Sequence, residues 1–202
     1  MSRPKAFNEV EILQKAMELF WKQGYAATSP AQIVSSLGIS RSSLYATYVD
    51  KRNLFIRSLK YYISTRSQGL IEKIQSSDNT ISTLEEIFRN VINAKYNEMN
   101  RYGCLVVNTA IEFGSKETDI NKILEDNDQN IIQALTELIE RSQIDKCASN
   151  TALPSELARY IYNNIVGLRV HMRMGKSAQD LDSMSSIILA TLKLYIRNEP
   201  NN

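Results

Sequence analysis

Two cysteines, one histidine and seven glycines leave this 202-residue chain short of the side chains on which most familiar chemistry depends. Cys104 and Cys147 are too few for a disulfide framework and lack the spacing of metal ligands. A zinc site or a Ser-His-Asp triad would have to be built around His171 alone, and nothing in the sequence supports that histidine as either site needs. The glycines stand singly, so there is no glycine-rich phosphate loop. No metal, no cofactor and no catalytic residue is therefore expected, and an enzyme is the disfavoured class. Long apolar runs are also missing. None would span a bilayer, and the start, MSRPKAFNEV, has a basic flank without the apolar stretch of a secretion signal. A cytoplasmic protein without a membrane partner is the expectation.

What is present is an ordinary globular composition, 43% hydrophobic, with charge unevenly placed along it. Residues 1–60 hold nine Lys/Arg (Arg3, Lys5, Lys15, Lys22, Arg41, Lys51, Arg52, Arg57, Lys60) against four acids, a net of +5. Subtracting these from the totals of 24 and 22 leaves fifteen bases and eighteen acids, a net of −3, for the remainder. A basic amino-terminal quarter on a mildly acidic body suggests a polyanionic partner for the first part only.

The hydrophobic period is helical almost throughout. Between Phe7 and Gly24, Ile12, Ala16, Leu19 and Phe20 form one stripe, which Gly24 ends. Ser29-Pro30-Ala31-Gln32 then supplies a serine cap, a proline at the first helical position and a glutamine at the third, so a helix should start there. That helix buries Ile33, Val34 and Leu37 and stops at Gly38. Ser40 caps a short helix to about Tyr48, and Asp50 caps a longer one carrying Leu54, Phe55, Leu59 and Tyr62. Two short helices joined by Leu37-Gly38-Ile39-Ser40 match the helix-turn-helix pattern. Further helices follow through Leu84–Ile92, the segment GCLVVNTAIEFG, Glu117–Arg141, Pro154–Met174 and a last one ending near Tyr195, with a polar loop from Ser142 to Ala152.

The string GYAATSPAQIVSSLGISRSSLYATYVDKRNLF, from Gly24 to Phe55, resembles the DNA-binding domain of the TetR/AcrR family of bacterial transcriptional repressors. The likeness lies in Gly24-Tyr25, Thr28-Ser29, Ile33, Gly38-Ile39-Ser40, Leu44-Tyr45, Asp50-Lys51 and Leu54-Phe55. GCLVVNTAIE and GLRVHMRMGKSAQDL resemble a subgroup of these regulators. The resemblance implies an all-α protomer of about nine helices: an amino-terminal three-helix DNA-binding domain over residues 1–50 and a helical ligand-binding and dimerisation domain over residues 51–202. The fourth helix would link the two.

In a helix-turn-helix the second helix enters the major groove with its first residues on base edges. At 100° per residue Leu44 and Tyr48 share the packing face, with Ser42, Ser43, Tyr45 and Ala46 opposite and Arg41 and Thr47 on the shoulders. Arg41 is the one long side chain there, and its fork can pair with the O6 and N7 of guanine. The resemblance implies base contacts at Arg41, Ser42 and Ser43, and phosphate contacts at Tyr45, Thr47, Lys51, Thr28 and Ser29. Ala46 and Pro30-Ala31 depart from the family pattern and leave base reading mostly to the third helix.

Ala158, Ile161, Ile165 and Leu168 on one carboxy-terminal helix, and Leu181, Met184, Ile188 and Leu192 on the other, make two stripes suited to a symmetric four-helix homodimer interface, and so to a palindromic operator. Tyr62, Phe88, Ile92, Tyr96, Met99, Cys104, Val107, Asn108, Ile111 and Phe113 mix apolar bulk with polar tips, as the wall of a pocket for an unknown small-molecule effector does. Effector release by population shift, with the fourth helix swinging the reading heads out of register, is implied by the resemblance alone. The competing class is a helical DNA-organising or protein-interaction protein without an effector. If the DNA assignments hold, Arg41→Ala weakens operator binding and relaxes specificity at one position. Lys51→Ala instead weakens binding to every sequence and lowers the slope of log K against log salt by about one unit. A salt titration on specific and random duplexes separates the two.

Overall fold

In the computed structural model, residues 8–96, 99–142 and 152–196 are described, and among them there are ten α-helices and no strand. In chain order these are α1 (Glu9–Gln23), α2 (Pro30–Leu37), α3 (Arg41–Tyr48), α4 (Lys51–Tyr62), α5 (Gln68–Gln75), α6 (Thr80–Asn93), α7 (Leu105–Phe113), α8 (Thr118–Arg141), α9 (Pro154–Arg173) and α10 (Ala178–Leu192). A five-residue π-helical segment, Ile63–Ser67, lies between α4 and α5 in the chain. The all-helical expectation is met. The polar loop expected from Ser142 to Ala152, and Cys147 within it, fall almost entirely outside the described residues.

The helix starts follow the capping chemistry of the sequence. Asn8, Ser29, Ser40, Asp50, Asn79 and Ser177 each place a side-chain oxygen on an amide of the first turn, satisfying donors that have no partner within the helix. The stops are also local: Gly38 ends α2 in the left-handed region at φ 65°, where a residue without Cβ is unstrained.

Two compact units result, one made of Met1–Arg66 with Leu105–Leu124, the other of Ser67–Cys104 with Glu125–Asn202. This division differs from a boundary at residue 50, because α4 packs along α1 and α7 joins them both. The first unit closes over Ala16, Phe20, Trp21, Ile33, Leu37, Leu44, Tyr48, Leu54, Phe55 and Leu59. Phe20 and Phe55 meet edge to face at 5.1 Å, and Trp21 and Tyr62 do so at 5.0 Å. A fully buried Phe, Leu or Ile stabilises by roughly 1.5–3 kcal/mol, so these contacts fix how α1, α3 and α4 cross.

The second unit is built on the apolar faces of α5, α6, α9, α10 and the later part of α8. Polar groups tie their ends: the buried Thr80 hydroxyl donates to the Leu138 carbonyl at 3.1 Å, and the Arg141 guanidinium donates to the carbonyls of Ile74 at 3.2 Å and Ser77 at 3.3 Å. Ala158, Ile161, Ile165, Leu168, Leu181, Ile188 and Leu192 all lie in this core, with Met184 half-buried against it. Their assignment to a dimer interface is therefore corrected: the α6 and α8 side chains of the same protomer already cover that face.

Tyr48 is 1% exposed, and its hydroxyl has no hydrogen-bond partner among the described residues. A buried hydroxyl without a partner costs about 1–3 kcal/mol of desolvation, so Tyr48→Phe should raise the thermal unfolding midpoint and stabilise the fold by about 1 kcal/mol.

Candidate nucleic-acid interface

The segment from Ser29 to Lys51 is organised by reciprocal short-range bonds. The Gln32 amide donates to Ser29 Oγ at 3.2 Å while the Ser29 amide donates to Gln32 Oε1 at 2.7 Å, so α2 starts on a closed capping box behind Pro30. After the Gly38 turn, Ser40 Oγ accepts from the Ser43 amide at 3.1 Å and lies 2.9 Å from the hydroxyls of both Ser42 and Ser43. Three serine hydroxyls thus form one cluster at the start of α3. Ser42 is exposed and Ser43 half-buried, so the cluster opens outward.

Arg41 stands exposed at the first position of α3, and its guanidinium carbon lies 5.7 Å from the centroid of the Tyr45 ring. Stacking one turn apart gives the arginine a preferred direction without neutralising it. Leu44 and Tyr48 are buried, as the helical period required, while Ala46 is exposed and Tyr45 and Thr47 are half-buried. The face presented outward by α3 is therefore Arg41, Ser42 and Ala46, with Ser43, Tyr45 and Thr47 at its margins.

The Lys-Arg pair that follows divides. Arg52 is held by Glu117 at 3.0 Å and Asp119 at 3.4 Å, and the Glu117 hydrogen bond raises its pKa. Lys51 sits 4.2 Å from the centroid of the Tyr25 ring, and burial lowers its pKa despite the opposing field of Glu112. Asp50 accepts from the Asn53 amide at 2.7 Å and caps α4. Thr28 requires a correction. It is 0% exposed and its hydroxyl donates to the Gly24 carbonyl at 2.6 Å, so its side chain offers nothing to a phosphate. Ser29 remains exposed at the head of α2.

The junction between α3 and α4 has a feature that residue types did not signal. Val49 has φ 66° and ψ −55°, and the Asp50 amide donates to the Tyr48 carbonyl at 2.7 Å. This is a γ-turn of the strained hand, centred on a β-branched residue for which positive φ is a genuine outlier.

The ten residues taken for an effector pocket divide among several uses. Tyr62 packs on Trp21, and Phe113 lies 5.1 Å from the Tyr25 ring and 5.4 Å from that of Phe55, so both serve the first unit's core. Ile111 and Tyr96 are 72% and 76% exposed. Val107, Asn108 and Met99 are half-buried. In the second unit Phe88 and Ile92 share the wall of a hollow of about 230 Å³ with Glu85, Arg89 and Asp182. Cys104 is buried with Arg169 Nη1 3.6 Å from its sulfur, and the Tyr162 hydroxyl donates to Asp128 at 2.5 Å. Burial raises the Tyr162 pKa, with Asp128 adding to the shift, so the phenol stays a donor. Asp128, Tyr162 and Arg169 were not anticipated: an acid, a tyrosine and an arginine on two helices look like surface residues until the crossing is known.

A three-helix head with a glycine turn, a capped second helix and an exposed arginine at its start has the form of a helix-turn-helix. Residues 12–57 match the model of bacterial regulatory proteins, tetR family. The uncharacterized HTH-type transcriptional regulator YezE of Bacillus subtilis is 27% identical over 196 residues, 96% of this chain and 99% of that protein. The HTH-type transcriptional repressor ComR of Escherichia coli is 28% identical over 198 residues, covering 96% of this chain and 91% of the relative. Among solved structures, the TetR family regulator CifR, a cysteine mutant complexed with 26-base-pair operator DNA, superposes with a TM-score of 0.80 at 25% identity over 93% of this chain and 98% of its own. The amino-terminal part of the chain thus matches the tetR family model, and nearly its whole length is similar to HTH-type transcriptional regulators.

Replacing Val49 with glycine removes the Cβ penalty of the γ-turn. Although glycine loosens the unfolded chain, Val49→Gly should stabilise the protein by about 1 kcal/mol in chemical denaturation.

Proposed function

We propose that the protein is a homodimeric repressor that reads a palindromic operator through α3 and is released by a small-molecule effector. The observation that carries this reading is Arg41, exposed at the first position of a helix whose opposite face, Leu44 and Tyr48, is locked into the core. Its guanidinium would take a guanine edge, the serine cluster would accept or donate at neighbouring bases, and Tyr45, Thr47, Ser29 and Lys51 would hold phosphates. Residues 1–50 supply the reading surface in this scheme, and residues 51–202 the sensing and pairing surfaces. The relative CifR, in complex with operator DNA, supports the same use of the fold.

Dimerisation is assigned to the faces of α9 and α10 turned away from the core. Tyr160, Asn163, Gly167, Val170 and Met174 recur on α9 at alternating steps of three and four residues, and none of them is buried. Ser183, Ile187, Ala190 and Leu194 do the same along α10 and just beyond it, with Ile187 67% and Leu194 71% exposed. Seams of this spacing pair with copies of themselves in a four-helix bundle, and Gly167 and Ala190 allow close approach. For the effector, the second unit offers the partly buried Asp128–Tyr162 and Arg169–Cys104 pairs, and Asn127 Oδ1, next to Asp128 in the chain, is buried without a partner among the described residues.

Selection of bound duplexes from a random pool should return one sequence with two-fold symmetry. Ile187→Glu, which puts a charge into the α10 seam, should give a monomer in sedimentation at micromolar concentration and lose at least about 100-fold in affinity for that sequence, because the second half-site is then no longer an intramolecular contact. A monomeric unmodified protein, or a selected site without symmetry, would reject the paired reading.

A further inference from the structure

Glu112 takes no part in the reading proposed above, yet its carboxylate reaches across 86 residues of sequence to the turn that opens the helix-turn-helix. Oε2 accepts from the Tyr25 amide at 2.8 Å and Oε1 from the Ala26 amide at 2.5 Å, so both oxygens of one anion hold consecutive backbone donors. Such charge-assisted pairs are shorter and stronger than neutral ones and constrain direction as well as distance. The turn is shaped to receive them. Gly24 has φ 84°, and a Cβ at that position would lie 3.1 Å from Glu112 Oε2, so a side chain there meets both backbone strain and the carboxylate.

The neighbours of Glu112 extend the attachment. Phe113 packs at a tilt against the Tyr25 ring and stacks on that of Phe55, and Glu117 with Asp119 holds Arg52 in the first turn of α4. Glu112 therefore fixes the segment from Gly24 to Ser29 at one end, and the capping box at Ser29 passes that placement directly to α2.

We infer that Glu112 is a positioning residue for DNA reading: by clamping the α1–α2 turn to α7 it sets the angle at which α2 and α3 meet the operator, without touching DNA itself. The inference rests on the proposal that α3 reads an operator. It also makes the α1–α2 turn the point at which a displacement of α7 acts on the reading head. Two other roles would leave different traces. The carboxylate also faces Lys51, so a purely electrostatic Glu112 would weaken all DNA binding and its removal would strengthen it. A merely structural Glu112 would change stability and nothing else.

The test uses the full chain, the operator selected by the unmodified protein, a random duplex of equal length, and the variants Glu112→Gln and Glu112→Asp. Gln is isosteric but sets an amide donor against one of two backbone donors; Asp keeps the charge and loses one methylene of reach. Both variants are expected to bind the operator about tenfold or more weakly with affinity for random DNA unchanged, and to speed hydrogen exchange at the Tyr25 and Ala26 amides. If Glu112→Asp binds like the unmodified protein while Glu112→Gln binds both duplexes more tightly, the role is electrostatic and the inference fails. It fails equally if exchange quickens and operator affinity does not move. An unmodified protein that enriches no sequence overturns the DNA-reading proposal itself, and this inference with it.

Discussion

The amino-terminal unit is assembled around the ring of Tyr25. Phe20 of α1 lies 6.3 Å from it, Phe55 of α4 5.0 Å and Phe113 of α7 5.1 Å, while the Lys51 ammonium stands over its face at 4.2 Å. Aromatic pairs at these separations add to area burial, and three of them on one half-buried ring tie together helices that are distant in the sequence. Burial raises the phenol's pKa, with Asp50 adding to the shift, so the side chain remains neutral. Tyr25 follows Gly24 in the turn that Glu112 grips, so the aromatic and the ionic attachment of α7 converge on two adjacent residues.

Around that anchor several of the basic side chains are paired. Arg57 is paired with Glu9 at 2.7 Å and lies over Tyr48, Arg52 is paired with Glu117 and Asp119, and Lys15 with Glu11. Solvent-exposed pairs of this kind contribute little to stability. Their effect here is to withdraw positive charge from places where it would attract any polyanion, while Arg41 stays exposed at the start of α3.

Much of this was legible in the sequence where the physics is local. Ser29-Pro30-Ala31-Gln32, Ser40 and Asp50 announce their caps because each satisfies a donor within three residues, and the burial of Ile12, Ala16 and Phe20 on α1 and of Leu44 and Tyr48 on α3 follows from period, although Leu19 is only half-buried and Met17 and Trp21 are buried outside the expected stripe. Legibility ended where a choice depends on a distant partner. Thr28 and Ser29 are adjacent hydroxyls, and only the fold shows that one returns to the Gly24 carbonyl while the other faces out. On α9, Ile161, Ile165 and Leu168 are no more periodic than Tyr160, Gly167 and Met174, and only the positions of α6 and α8 decide which face is core. Glu112 looks like a solvated acid until the α1–α2 turn is placed beside it. Val49 carries no sign of its left-handed backbone, because the requirement comes from closing α3 onto α4 in a single residue.

That closure has a mechanical consequence. The Val49 amide donates to the Tyr45 carbonyl, the Asp50 amide to the Tyr48 carbonyl, and the Asp50 carboxylate accepts from the Asn53 amide, so both residues of the junction are committed to a neighbouring helix. No slack residue is left to act as a hinge. α3 and the first turn of α4 must turn as one bent lever, and freedom to tilt lies on the other side of α3, in the Gly38 turn. The pivot of α3 thus sits among the residues that precede it in the chain.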